Sequence, residues 1–445
     1  MAEQSRLTAS RLGRLGQLGR LAGGLAAGAL GEGARRLAQG QRPAVDDLLL
    51  TPANARRLAA SLAEMRGAAM KLGQLLSMDG GAVLPTAFSE LLARLREDAH
   101  AMPLGQVAAV LKQSWGEGWD ARFERFQFTP LAAASIGQVH AAVLRGGERL
   151  AIKLQYPGVR DSIDSDIDNV AALLRLARLL PASMDVTPLL AEAKQQLHLE
   201  ADYRQEAAAL ERYRALLAGD PRYRVPRVHA ELTTDSVLAM DYLDGDPVET
   251  LANAPAALRD GAATALLDLA LREVFDWGLV QTDPNFANYR VEQDSGRLQL
   301  LDFGATRDYP AAHSAALREL LHACLAGDDA DLAAAAVTVG YLAADDAPAY
   351  RAEVIGLLRT ATEPARHPGV YDFGRCDLAG RMRDALLRIR VELGFTRLPP
   401  PGILFLHRKL GGLYLLLRHL RARVAVAERV APWLETTALP ERAQA

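Results

Sequence analysis

Residues 281–288 read Gln-Thr-Asp-Pro-Asn-Phe-Ala-Asn, and a little further on the apolar pair Leu300-Leu301 runs into Asp302-Phe303-Gly304. An acid at 283, an amide at Asn288 and a second acid at 302 supply carboxylate and amide oxygens. These are hard ligands of the kind that suit Mg²⁺ on nucleotide phosphates. In that chemistry Asn288 and Asp302 hold the metal, and Asp283 orients a nucleophile. Asp-Pro and Asn are equally common in turns, where they cap backbone groups, so the stretch acquires meaning only from partners elsewhere.

Four such partners occur in the order that a protein-kinase-like fold requires. Leu150-Ala151-Ile152-Lys153 closes a strand with a lysine able to reach α- and β-phosphates, although a lone strand-end lysine is usually solvated. Glu206 lies on a helix whose apolar stripe includes Tyr203, Ala207, Leu210 and Leu217, and can pair with Lys153. Leu238-Ala239-Met240-Asp241-Tyr242-Leu243 ends another strand and fits a segment joining two lobes, with its backbone on adenine and Met240 behind it. Ala132-Ala133-Ala134-Ser135-Ile136-Gly137-Gln138-Val139 stands where a glycine-rich phosphate loop would. Two of that loop's three glycines are replaced, which restricts φ and backbone approach to phosphate. A second Asp-Phe-Gly at 372–374 follows no apolar strand and lies too late in the chain, so position selects Asp302.

The elements that must place these residues can be read from periodicity. Helical patterns cover roughly 54–78, 85–99 and 103–115, and strands are expected at 139–145 and 149–155, turned at Gly146-Gly147. A long helical region from about 160 to 217, broken near Pro181 and Pro188, precedes short strands at 227–232 and 236–242. From 250 the pattern is helical again, apart from a hairpin around 289–291 and 298–301. The expected class is α+β: a two-lobed kinase-like fold with an N-terminal helical extension and a mostly helical C-lobe. Its segments are 1–45 (basic and amphipathic), 46–120 (the extension), 121–242 (N-lobe) and 243–445 (C-lobe), the end beyond Arg429 being a short ordered edge or frayed.

Departures from ordinary kinases are informative. Gln281-Thr282 replaces His-Arg, which removes the arginine that reads a phosphorylated activation loop, and helix resumes by about Ala311, too soon for an activation segment. Phosphorylation of a protein substrate is therefore disfavoured. The chain resembles the UbiB atypical kinase-like family, most closely its coenzyme Q-biosynthesis ATPase branch. The resemblance rests on Lys71-Leu72-Gly73-Gln74 (K-x-G-Q), the alanine-rich loop, Glu200-Ala201-Asp202 (E-x-D) and Asp-Pro-Asn-x-x-Asn, and it extends to Phe405–Gly412. It implies that Lys71 and Gln74 lie near Glu200 and Asp202 over a nucleotide cleft. It further implies ATP or ADP with Mg²⁺ as ligands, and ATPase or small-molecule kinase activity supporting ubiquinone biosynthesis. Polyprenyl or quinone lipids and ubiquinone-biosynthesis enzymes are the implied partners. A nucleotide-gated lipid or protein chaperone with incidental hydrolysis is the competing reading. Glu200 and Asp202 sit about 200° apart on a regular helix, so a distortion or a new helix start is expected there.

The 445 residues, 50% hydrophobic and 24% charged, exclude disordered and fibrous classes. Net charge is −3, which gives no field for nucleic acid. Two cysteines, Cys324 and Cys376, provide neither a disulfide framework nor a four-thiolate site. No run of about 18 uncharged apolar residues occurs, and the arginine-rich start does not read as a secretory signal. Through residue 42, however, seven arginines face two acids, with leucines at near-helical spacing. That segment suits an anionic membrane surface or a docking face on its own protein. The expected placement is cytoplasmic and peripheral on an inner membrane, and a homodimer is compatible with the sequence.

Overall fold

The computed structural model describes residues 61–62, 65–77, 101–176, 186–393 and 399–435. The basic segment 1–45, the helix expected over 85–99 and the break near Pro181 lie outside the described residues. The chain divides into two compact units, one of residues 1–77, 83–207 and 228–242, the other of 78–82, 208–227 and 243–445. Residues 208–227 belong to the second unit.

In the first unit α1 (Arg66–Ser77) and α2 (Leu104–Trp115) precede β1 (Phe123–Phe126), β2 (Ala132–Ala133), β3 (Gly137–Leu144) and β4 (Arg149–Gln155). Then come α3 (Val159–Leu176), α4 (Thr187–Glu200) and the start of α5 (Tyr203–Leu216), followed by β6 (Val237–Asp241), β5 (Tyr223–Arg224) belonging to the second unit. The sheet order is β1-β3-β4-β6, with β2 on β3 and every pairing antiparallel. Alternation along β4 puts Leu150, Ile152 and Leu154 in one fully buried row against Val107, Val110 and Leu111 of α2. Each such side chain contributes about 1.5–3 kcal/mol on burial. The strand expected over 227–232 is a single bridge at Val228 and a 3₁₀ turn at Ala230–Leu232.

The second unit holds β7 (Asp246–Pro247), α6 (Ala256–Arg272), β8 (Leu279–Gln281), β9 (Tyr289–Val291), β10 (Leu298–Leu300) and β11 (Thr306–Asp308). α7 (Ala311–Ala326), α8 (Asp329–Val339), α9 (Pro348–Ala361) and α10 (Glu363–Arg366) follow. The chain then forms β12 (Tyr371–Asp372), α11 (Leu378–Leu387), α12 (Pro401–His419), β13 (Arg423–Val424) and α13 (Val426–Glu435). The end beyond Arg429 thus continues as helix to Glu435. A sheet of order β5-β10-β9-β7 and the pair β8–β11 bracket the 281–302 region. α6 passes into a π-helical stretch, Glu273–Trp277, stopped by Gly278 at φ 55°. This insertion turns Glu273 fully inward. Among the described residues no helix is long and apolar enough to cross a membrane.

Candidate nucleotide site

The alternation that buries Ile152 sends Lys153 to the opposite face of β4, where it lies in register between Val139 and Leu238. Its Nζ donates to both carboxylate oxygens of Glu206 at 2.8 Å. Lys153 is only 7% exposed and Glu206 3%, so neither charge is solvated. The Tyr203 ring centroid lies 5.2 Å from the same ammonium, a cation–π contact that sequence reading missed. Glu206 lies on α5, not on the helix that follows the break near Pro188. α4 ends at Glu200, and Asp202 starts α5 by accepting the Arg204 N–H at 3.1 Å and the Gln205 N–H on its carbonyl at 2.9 Å. This restart resolves the spacing conflict within Glu-x-Asp: Glu200 closes one helix and Asp202 caps the next.

The alanine-rich loop is a small hairpin. Leu131 N–H donates to the Val139 carbonyl (2.7 Å), Ala134 N–H to the Gly137 carbonyl (2.8 Å), and Tyr156 N–H to Ile136 (2.9 Å). Ala132 and Ala133 are exposed and Ala134 is half-buried, whereas Ile136 and Gln138 are buried. Gln138 accepts the Met102 N–H at 2.9 Å and meets His140 Nε2 at 2.8 Å, so its side chain is a core tether rather than a phosphate ligand. Gly137 answers a packing need as well: a Cβ there would strike the Leu154 carbonyl and lie 2.7 Å from the Tyr203 hydroxyl. α1 lies on the tip of this loop. A Cβ on Gly67 would sit 3.0 Å from Ile136 and 3.3 Å from the Ser135 carbonyl. Lys71, buried on α1, forms an ion pair with Glu200. The backbone of Gln74 lies in α1; its side chain falls outside the described residues.

Met240 is buried in β6, Asp241 meets His229 Nε2 at 2.9 Å, and the Arg149 guanidinium lies 4.3 Å from the Tyr242 ring centroid. The Tyr242 N–H donates to the Arg149 carbonyl at 2.9 Å, which removes one of the backbone donors expected for adenine. Leu243 is buried.

In the second unit, Asn285, not Asp283, caps the turn by accepting the Ala287 N–H at 3.2 Å. Asn288 Nδ2 donates to the carbonyl and to Oδ2 of Asp283, both at 3.1 Å. Its amide oxygen is thereby the atom left for a cation. Asp302 Oδ1 accepts the Gly304 N–H at 3.0 Å, and the Asp302 carbonyl accepts from Gln281 Nε2 at 3.2 Å. Asp372 makes the same turn to Gly374 at 3.0 Å, but its strand pairs with β13, apart from β8 and β9. Among the described residues no group of three His, Cys, Asp or Glu is placed to hold a metal ion. One carboxylate and one amide oxygen nevertheless fit Mg²⁺, which ordinarily takes one or two carboxylates and completes its shell with nucleotide phosphates and water.

Helix α12 braces this loop through residues to which sequence reading gave no role. Arg408 Nη2 forms an ion pair with Asp283 Oδ1. Lys409 Nζ lies 2.7 Å from Glu273, which also accepts the Tyr213 hydroxyl at 2.7 Å. Burial alone would lower the Lys409 ammonium, but Glu273 and Tyr289 outweigh it and raise its pKa. Gly412 permits close approach, because a Cβ would collide with Pro284. The available signal was a pair of glycines inside a helical pattern, each costing about 1 kcal/mol against Ala.

Comparison with known proteins gives concordant findings. Residues 94–336 match the model of the ABC1 atypical kinase-like domain. The chain is 35% identical over 427 residues to a zebrafish protein named atypical kinase COQ8B, mitochondrial, covering 95% of this chain and 68% of that one. It is 34% identical over 429 residues to the Saccharomyces cerevisiae atypical kinase COQ8, mitochondrial, covering 96% and 85%. Among solved structures, the erythromycin complex of a Mycobacterium tuberculosis protein superposes with a TM-score of 0.60 at 26% identity, covering 86% of this chain and 97% of the other.

Proposed function

The chain belongs to the ABC1 atypical kinase-like family and is an atypical kinase-like enzyme, and from that premise we propose that it binds Mg·ATP and hydrolyses it, or transfers its phosphoryl group to a small molecule or lipid, in support of ubiquinone biosynthesis. The observation that carries this reading is the buried, doubly bonded Lys153–Glu206 pair. An ammonium held at two points in a desolvated position is preorganised for phosphate oxygens, at a cost that bulk stability does not require. Lys153 orients the α- and β-phosphates and Glu206 positions Lys153. Asn288 and Asp302 would hold Mg²⁺, which when bound neutralises charge on the phosphates. Asp283 orients the attacking hydroxyl or water. Positioning and charge account for catalysis, since phosphoryl transfer asks little covalent chemistry of a protein.

Two features favour a small acceptor or water over a protein. Only Ala305–Pro310 separate Gly304 from α7, and within them Thr306–Asp308 is tied into β11 against β8, which leaves no free activation segment. Helix α1 lies on the phosphate-loop tip, with Lys71 paired to Glu200. The relatives' names place those proteins in mitochondria. For this chain we propose a peripheral site on an anionic membrane, reached through the basic segment 1–45. The test is quinone profiling of a deletion strain complemented with wild type or Lys153→Ala. Restoration of ubiquinone by wild type alone is expected; equal restoration by both would overturn the proposed role.

A further inference from the structure

Asp283 is engaged from two sides. Asn288 holds Oδ2 from within the loop, and Arg408 of α12 holds Oδ1. Residues 281–288 contain neither Lys nor Arg, so the cation beside the nucleophile-orienting acid arrives from a helix more than a hundred residues later in sequence. That helix is fixed in place twice over: Lys409 is paired with the fully buried Glu273, and Gly412 is packed on Pro284 one residue beyond Asp283. Arg408 is therefore aimed by a rigid element rather than by a surface side chain free to sample rotamers. Its side chain is 11% exposed, and its Nη1 is buried with no hydrogen-bond partner among the described residues. A guanidinium retained only for stability is expected to satisfy both arms of its fork. Here one arm serves Asp283, and the other is left at a cost that stability does not explain.

We infer that Arg408 is a positioning residue for phosphoryl transfer: it fixes the plane of the Asp283 carboxylate, with Asn288 as the second point, so that the remaining lone pairs of the carboxylate face one direction for the attacking hydroxyl or water. This role rests on the proposed nucleotide chemistry and adds to it a residue outside the catalytic loop. A carboxylate gripped at one oxygen rotates about its Cβ–Cγ bond; gripped at both it does not. Losing the second grip misaligns the nucleophile without disturbing nucleotide contacts, so the loss falls on kcat and not on KM.

The test is a double-mutant cycle in Mg·ATP turnover, with kcat and KM measured for wild type, Arg408→Gln, Asp283→Asn and the double variant, and thermal unfolding followed in parallel. Arg408→Gln is expected to lower kcat by roughly a hundredfold with KM for ATP changed less than about threefold, and to have almost no further effect once Asp283 is Asn. Arg408→Lys keeps a charge but not the fork, and recovers part of the loss. The double variant removes both charges of the pair, so it folds even where Arg408→Gln leaves Asp283 uncompensated. Wild-type kcat in Arg408→Gln, or additive losses in the cycle, would overturn the role of Arg408 alone. A wild-type chain that turns over no Mg·ATP would overturn the nucleotide reading, and this role with it.

Discussion

Lys153 and Glu206 are both buried, and each offsets part of the other's desolvation. Replacing Lys153 by Met leaves a buried carboxylate without its cation, which costs about 3–5 kcal/mol in the usual case. The double variant Lys153→Met, Glu206→Leu removes both charges and is expected to recover most of that stability in urea unfolding, while phosphate release stays lost. Recovery of activity along with stability would show the pair to be structural. His407 makes a different prediction. Packed on Tyr341 with ring centroids 5.4 Å apart, it is held neutral by burial, which lowers its pKa from 6.5 to about 4. The unfolded chain takes up a proton below 6.5 that the folded chain refuses until about 4. This contribution is thus fully present above pH 6.5 and is lost as pH falls toward 4, by at most roughly 3 kcal/mol. The urea midpoint is expected to drop over that window and to drop less in His407→Gln; parallel curves for the two proteins would remove His407 from the account.

At the scale of elements, the chemistry depends on close approaches that glycine permits. Gly412→Ala drives α12 away from Pro284, and an overpacking cost of about 1–3 kcal/mol is expected together with reduced turnover, because Arg408 and Lys409 ride on the same helix. A variant with unchanged unfolding temperature and unchanged kcat would contradict that coupling. The hairpin β3–β4, the 289–300 hairpin and the helix start at Ala311 were legible because alternation, Gly-rich turns and short spacing act locally. β1, β8 and β11 were not, since they are short and no tight turn joins them to the strands they pair with, β3 for β1 and each other for β8 and β11. The break expected at Glu200–Asp202 occurs for a local reason: the Asp202 cap competes with helix continuation. Lys153, Glu206, Asn288 and Asp302 could be singled out because their order along the chain constrains one another. Tyr203, Arg408, Lys409 and Glu273 could not, because an arginine or tyrosine in a helix announces no partner until the chain is folded.

For the whole molecule, a net charge of −3 conceals a +5 excess before residue 43. Each basic residue near an anionic surface contributes about 1 kcal/mol. Changing Arg6, Arg11, Arg14 and Arg20 to Gln is therefore expected to abolish cosedimentation with phosphatidylserine vesicles while leaving hydrolysis in solution intact. Undiminished cosedimentation would assign the membrane contact to another surface. Lys153–Glu206 and Asp283–Asn288–Asp302 are proposed to serve one nucleotide reaction. The most direct measurement is phosphate release from Mg·ATP by the purified full-length chain, compared between wild type and Asp302→Asn of matched thermal stability. Loss of about two or more orders of magnitude in the variant, with wild-type turnover dependent on Mg²⁺, is the expected result; equal release by the two proteins would contradict the account.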